Sequence, residues 1–377
     1  MRAEIEEACS RQAIREFIEL PFSLHKRSPF YVPELRSQTA ALLNEHKHPY
    51  WQNASRKLYL AKVNGIAVGR VAAIIDRAYN DYAGERCGAF GFFECVNSYR
   101  VAHALLARAA EWLRDNDMAF MRGPLNPSTN YSCGMMVSGF QTRPAIMMPW
   151  NPSYYPALLE SWHLRKEQDL FAYVIAKNGR PVPKWLLEET RRLKEEGIFT
   201  FRHSGKKTLA ADVSIMLDLY RDSWAKNWAF SPLSQDEARL LVKELTAILD
   251  PRFFVLFFYK GKPCAGMVAL PDLSPLLQAF RGRIGPLAPW HWLRCRREIA
   301  KGYRIMLFGI LPEYRRLGLP LLLLDYMLEQ AKTMPGMEWV EGSWVLEDNS
   351  AIDELIEDFG GEIARRYRIY RKDLFEC

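Results

Sequence analysis

The chain has 377 residues, 49% of them hydrophobic and 25% charged, and carries a net charge of +7. That length exceeds one ordinary core and predicts two domains, and the composition excludes disordered, collagen-like and disulfide-scaffold classes. The charged start, "MRAEIEEACSRQAIREF", lacks the apolar centre of a secretory leader, and no apolar run reaches the roughly 18 residues a transmembrane helix needs. A cytoplasmic location is the expectation.

In chain order, a helix is predicted around Ile14 to Leu20, followed by loops rich in Pro and aromatics. "LYLAKVNGIAVGRVAAIID" reads as a hairpin turning at Asn64 and Gly65, because Asn-Gly suits the primed turns that join twisted strands. "GAFGFFECV" reads as a strand. "SYRVAHALLARAAEWLRD" reads as a helix, with Val101, Leu105, Ala109 and Trp112 on one face. "FMRGPLN" is a strand, "NPSYYPALLESW" a helix with Pro152 near its start, and "DLFAYVIA" a closing strand. Polar, Pro-rich "KNGRPVPKW" marks a junction, which divides the chain into domains 1–176 and 177–377.

The same order then repeats. A helix from Lys184 to Glu196 and the strand "IFTFRHS" precede two helices, a hairpin whose turn carries Lys260, Gly261 and Lys262, and a basic insertion at about 273–304. Strand, loop, helix, strand, helix and strand follow. An Asn heads the last helix of each half, Asn151 and Asn349. The fold class is therefore α/β (α+β), a duplicated mixed unit in which each half is a mixed twisted sheet flanked by helices.

Cysteine and histidine placement argues against metal chemistry. The seven cysteines are scattered, as reduced thiols would be. His46 and His48 fall on one side of an expected strand, but no Cys or Asp clusters beside them. No metal is expected. The insertion carries Arg281, Arg283, Arg294, Arg296, Arg297, Lys301 and Arg304 against Glu298 alone. Such a stretch attracts phosphates, an anionic cofactor, RNA or a membrane surface, or is a solvated helix face.

In "GILPEYRRLGLPLLLLDYMLEQA" a strand passes through a basic loop into a helix. A helix start offers unpaired N–H groups and partial positive charge, and Gly318 lets an anion approach closely. This order, with its Arg-x-x-Gly loop, resembles the GNAT superfamily of N-acyltransferases. The resemblance is clearest over Ile198–Leu374 and weaker over Ile14–Ala176, and the whole chain is similar to bacterial tandem-GNAT proteins.

The resemblance implies an acyl-CoA-dependent N-acyltransferase with acetyl-CoA or another acyl-CoA as co-substrate. It places the pyrophosphate on the backbone of Arg316, Leu317, Gly318 and Leu319, with Arg315 heading the loop. Ile310 and Leu311 would hold the pantetheine arm, and Asn349 matches the family's CoA-side asparagine. Pro320 replaces the usual Gly or Ala and removes one donor. Ile356 occupies the place of the tyrosine that protonates the leaving thiolate in many members.

Glu341 and Glu347, flanking the strand that bears Trp344, are candidates for the base. Asn126, Asn130, Tyr131, Tyr154, Tyr155 and Trp344 are candidates for the acceptor pocket. The first half, with "CVNSYRVAHALL" and no glycine in the loop, is expected to bind no CoA. The expected partner is a small-molecule or peptide amine, not nucleic acid. Two alternatives stay open: a catalytically silent GNAT-fold binding protein, and a transferase like the Fem enzymes, which use aminoacyl-tRNA.

Overall fold

The computed structural model describes residues 3–205 and 207–375. The first half comprises β1 (Glu4–Glu7), α1 (Arg11–Leu24), α2 (Arg36–Leu42), β2 (Ala54–Val63), β3 (Ile66–Asp76), α3 (Arg77–Ala83), β4 (Cys87–Cys95) and α4 (Tyr99–Asp115). It continues with β5 (Phe120–Gly123), β6 (Leu125–Asn126), β7 (Ser132–Cys133), β8 (Met135–Ser138), α5 (Tyr155–Glu160) and β9 (Arg165–Ala176). The second half begins with α6 (Lys184–Glu196), β10 (Phe199–His203), α7 (Leu209–Trp224), α8 (Gln235–Thr246), β11 (Phe254–Tyr259) and β12 (Lys262–Pro271). The insertion forms α9 (Ser274–Phe280) and α10 (Ala288–Ile299). The chain ends with β13 (Gly302–Ile310), α11 (Leu319–Thr333), β14 (Trp339–Leu346), α12 (Ser350–Asp358) and β15 (Gly361–Asp373).

Local chemistry explains much of this. Both hairpins turn through two successive residues of positive φ, Asn64 (51°) with Gly65 (75°) and Lys260 (48°) with Gly261 (80°), as a type I′ turn requires. In α4 the apolar stripe at helical spacing is buried from Val101 to Leu113 against the sheet. In α11, Leu319, Leu322, Leu323, Tyr326 and Met327 pack into the second-half core.

The two half-sheets join edge to edge into one 13-stranded sheet in the order β1-β2-β3-β4-β5-β15-β9-β14-β13-β12-β11-β10, with β8 also paired to β15. The closing strands change places. β9 follows the first half in sequence but pairs with β14 of the second, and β15 ends the chain yet pairs with β5 of the first. The two lie antiparallel to each other at the centre. Among the described residues only β4/β5 and β13/β14 run parallel, one pair in each half.

Two expectations are corrected here. Asn151 does not head a helix, since α5 begins at Tyr155. Its buried side chain accepts from the Met136 N–H (2.7 Å) and donates to the Met136 carbonyl (3.1 Å), extending the hydrogen-bonded edge of β8. His46 and His48 lie in a turn, not a strand, and His48 Nδ1 accepts the Tyr50 N–H at the start of a 3-10 turn. No helix among the described residues is long and apolar enough to cross a membrane.

Candidate functional site

In the second half, β13 and β14 pair only from Gly302 to Ile305 and from Trp339 to Gly342, then diverge. Parallel strands that part leave a wedge between them. Here the wedge opens into a cavity of about 80 Å³. Its walls are Ile305, Met306 and Phe308 of β13, Gly342 to Val345 of β14, Leu324 of α11, Ile352 and Ile356 of α12, Ile175 of β9 and Trp224 of α7. The lining is almost wholly apolar, and the Trp224 indole N–H donates to the Phe308 carbonyl (3.4 Å) across one side.

The loop between β13 and α11 carries the Gly318 motif. Gly318 holds φ at 77°, and no side chain caps the helix it opens. A Cβ there would also lie 2.4 Å from Leu193 Cδ1, so the turn geometry favours glycine and any side chain would push the Leu193 end aside. The Leu317 amide is already committed to the Tyr314 carbonyl (3.1 Å), which leaves the amides of Arg316, Gly318 and Leu319 with no acceptor among the described residues. Arg315 braces the loop, donating to the Ile310 carbonyl (3.2 Å) and the Ser223 carbonyl (2.6 Å). Arg316 is exposed and faces no acidic partner among the described residues. Leu311 ties the strand end to the Cys264 carbonyl (3.0 Å), and Asn349 occupies the N-cap position of α12 at the surface.

Neither carboxylate proposed as a base lines this cavity. Glu341 is fully buried, ion-paired with Arg365, and accepts the Ser343 hydroxyl (2.7 Å), which in turn accepts Arg304 Nε (2.8 Å). Glu347 binds Lys166 (2.5 Å) and the Asp169 N–H (2.9 Å), stapling β14 to β9. Both are engaged in holding the centre of the sheet. Ser343, Trp344 and Ile356 line the cavity, with the Ser343 hydroxyl already engaged by Glu341 and Arg304.

The first half has the same parting of strands but fills it with its own chain. After β5, the Leu125 carbonyl presses against Gly91, where a Cβ would sit 1.7 Å away, and Asn126 Oδ1 accepts the Phe92 N–H (2.5 Å). Beyond this plug lies a second cavity, of about 130 Å³, with Phe22, Tyr31, Phe92, Met135, Met147, Trp150 and Leu277 in its walls. Its floor is charged. Glu94 Oε2 meets His25 Nε2 at 2.6 Å and accepts the Tyr155 hydroxyl at 2.7 Å, while Arg70 stands 3.8 Å from its other oxygen. Burial pushes the Glu94 carboxyl up, but His25, Arg70 and Tyr155 outweigh it and hold the group below its usual range. Burial and the adjacent Glu94 raise the Tyr155 phenol. Arg70 donates to the Phe17 carbonyl (2.6 Å) and keeps a buried Nε–H without a partner among the described residues.

The acceptor-pocket residues therefore fall in three places. Asn126 and Tyr155 line the first-half cavity, with Tyr154 beside it on the Cys95 carbonyl (2.9 Å). Trp344 lines the second-half cavity. Asn130 and Tyr131 instead clasp the other half: Asn130 donates to the Ser231 carbonyl (2.8 Å), and Tyr131 donates to Glu237 (3.0 Å). Sequence reasoning missed His25, Arg70, Glu94 and Trp224. The available signal was a lone charge inside an apolar strand, Arg70 in "AVGRVAA" and Glu94 in "GFFECV", since a buried charge requires a partner.

No family model matches the chain. It is 29% identical over 367 residues to a bacterial ceramide synthase of Caulobacter vibrioides (strain NA1000 / CB15N), covering 96% of this chain and 95% of that protein. It is 27% identical over 377 residues to Protein YghO of Escherichia coli (strain K12), covering 97% and 94%. Among solved structures, a tandem GNAT protein from the clavulanic acid biosynthesis pathway matches over 100% of both chains with a TM-score of 0.56 at 11% identity. The fold is that of the tandem GNAT proteins.

Proposed function

We propose that this tandem GNAT chain transfers an acyl group from an acyl-CoA to the primary amine of a long-chain acceptor, with the thioester held by the second half. The observation that carries the reading is the asymmetry of the two strand partings. One is open and apolar, in the half whose loop leaves the amides of Arg316, Gly318 and Leu319 with no acceptor among the described residues, while the other is plugged by Leu125 and Asn126. Amides converging at a helix start suit a pyrophosphate. An apolar wedge suits the pantetheine arm and the start of an acyl chain.

In the reaction, the amine nitrogen bonds to the thioester carbonyl carbon, the C–S bond breaks, and the amine proton leaves with or ahead of the thiolate. The protein must hold the two reactants together and accept a proton. The cavity with Glu94 on its floor, paired to His25, is assigned to the acceptor. Segment 143–151 lines the acceptor cavity and is tied to the second half at Ile146. Ile146 is held by Asp272 and Arg304 on one side, and Met147, Met148 and Trp150 line the acceptor cavity on the other. A ceramide is the amide of a fatty acid with a long-chain amino alcohol. Near-full-length likeness to a ceramide synthase supports an acceptor and an acyl donor of that class.

The test is direct. The purified chain is incubated with acyl-CoAs of two, eight and sixteen carbons and with either a long-chain amino alcohol or a short amine. Amide is read by mass spectrometry and CoA release by thiol titration. Amide from the long acceptor is the expected result. Thermal stabilisation by acyl-CoA without thiol release under any pairing would refute catalysis and favour the silent-binder reading, which the hydrocarbon at Ile356 also supports.

A further inference from the structure

The α9–α10 insertion presents an outer face that none of the described residues covers. Among its larger apolar residues Ile284 is 63% exposed, Leu287 64%, Trp290 51% and Leu293 57%, while Ile299 is the one buried apolar side chain of α10. At 100° per residue, Trp290, Leu293, Arg294 and Arg297 share the side of α10 opposite Ile299. The apolar groups lie in the loop and the first turns, and the arginines follow in the last turns.

The charges around this face are of one sign and largely unneutralised. Arg281, Arg296 and Arg297 have no acidic partner among the described residues, and Arg294 has only the Trp290 ring, 5.3 Å from its guanidinium. Glu298 is occupied by Lys301 (3.2 Å). The expected basic cluster therefore loses one member: Arg304 is buried in the centre of the molecule, on Ser343 and Ile146.

The hairpin is also firmly rooted. Arg36 donates from its amide to the Gly282 carbonyl (3.0 Å) and from its guanidinium to the Arg281 carbonyl (2.6 Å), and Gln278 donates to the Pro29 and Tyr31 carbonyls. Gly282 lies against Phe22 with no room for a Cβ. Phe22, Tyr31 and Leu277, at this root, also line the cavity with Glu94 on its floor.

We propose that the outer face of α10 and the loop before it dock onto the surface of an anionic lipid bilayer, beside the mouth of the first-half cavity. Exposed Trp, Leu and Ile side chains enter the headgroup region, and arginines on long apolar stems reach the lipid phosphates. A water-facing loop and helix gain nothing from four large apolar side chains. A nucleic-acid surface would not call for Ile284, Leu287 and Leu293. Anionic lipid uses both halves of the pattern, and docking there gives an amphiphile a short path into the adjacent cavity.

The proposal stands apart from acyl transfer, because its test needs no substrate. The full chain is floated with vesicles of phosphatidylcholine alone and with vesicles that also contain phosphatidylglycerol, at low and high salt. Co-flotation with the anionic vesicles, weakened by salt, is expected. The triple change Arg294→Gln, Arg296→Gln, Arg297→Gln should weaken partitioning about fivefold per charge, roughly a hundredfold together. The pair Trp290→Asp, Leu293→Asp should abolish it at an unchanged melting temperature, which the exposure of both residues permits. Absence of co-flotation, or equal flotation of the triple variant, overturns the proposal. So does a wild-type dimer that Trp290→Asp converts to monomer without any vesicle binding, which would make the face a contact between copies.

Discussion

One chain should bind one CoA, and reversing a single charge should show which half holds it. Arg316 is exposed, forms no ion pair among the described residues and follows the tight turn into Gly318, so Arg316→Glu removes attraction without breaking a native contact. Two charges about 4 Å apart in water interact by about 1 kcal/mol. Loss of the attraction plus the new repulsion then comes to about 2 kcal/mol, or roughly thirtyfold in Kd. Arg100 heads α4 in the first half with similar exposure and serves as the internal control. There the backbone approach is filled: the Phe92 N–H is taken by Asn126 and Leu125 lies against Gly91. Isothermal titration with acyl-CoA should give a stoichiometry near one, a Kd raised about thirtyfold by Arg316→Glu and unchanged by Arg100→Glu. A stoichiometry of two, or sensitivity to Arg100→Glu alone, would refute the assignment.

Further predictions follow from the packing. Gly318→Ala should lower the melting temperature, because positive φ and the Leu193 contact together cost about 1–3 kcal/mol; an unchanged melting curve would show that the loop adjusts freely. Ile356→Tyr should destabilise by a similar about 1–3 kcal/mol and leave turnover no higher, since Ile356 is packed against Gly361 and the cluster around Tyr173. A turnover gain in stopped assays would reopen leaving-group protonation as the limiting step. Ile352→Trp should narrow the second-half cavity and raise KM for sixteen-carbon acyl-CoA at least tenfold, and an unaltered KM would place the acyl chain elsewhere. Glu94, with its folded pKa held below the ordinary 4.5, contributes stability that is present above that value and is lost as pH falls through the folded pKa. Glu94→Gln should therefore lower stability near neutral pH by about 3–5 kcal/mol, by leaving His25 and Arg70 unpaired, and flatten the acid limb of the stability curve. An acid limb as steep as in the parent chain would assign acid sensitivity to other carboxylates.

Short-range physics was legible in the residues themselves. Asn64-Gly65 specifies its turn because Asn and Gly both tolerate positive φ, and in the second hairpin Gly261 does so while Lys260 is carried into the same conformation. The helix from Lys184 to Glu196, the apolar stripe of α4 and the strand-loop-helix around Gly318 follow from apolar spacing and from the glycines of positive φ at Gly197 and Gly318, within one or two turns of chain. Likewise, the repeated order of elements shows the duplication without any knowledge of contacts.

Neighbour relations in space were decided only by the tertiary structure. Whether β9 closes its own half or its partner's depends on which exposed strand edge it meets, and a strand's residues pair through backbone groups that are the same in either place. Asn130 and Tyr131 look like pocket residues in sequence, yet about a hundred residues of chain return to meet them and make them a clasp. Glu341 and Glu94 are both single acids in strands. The fold buries one against Arg365 within the sheet and sets the other on the floor of a cavity beside His25, which is 69 positions away. A carboxylate's role depends on the charges and the space around it, and distant segments of the chain supply both.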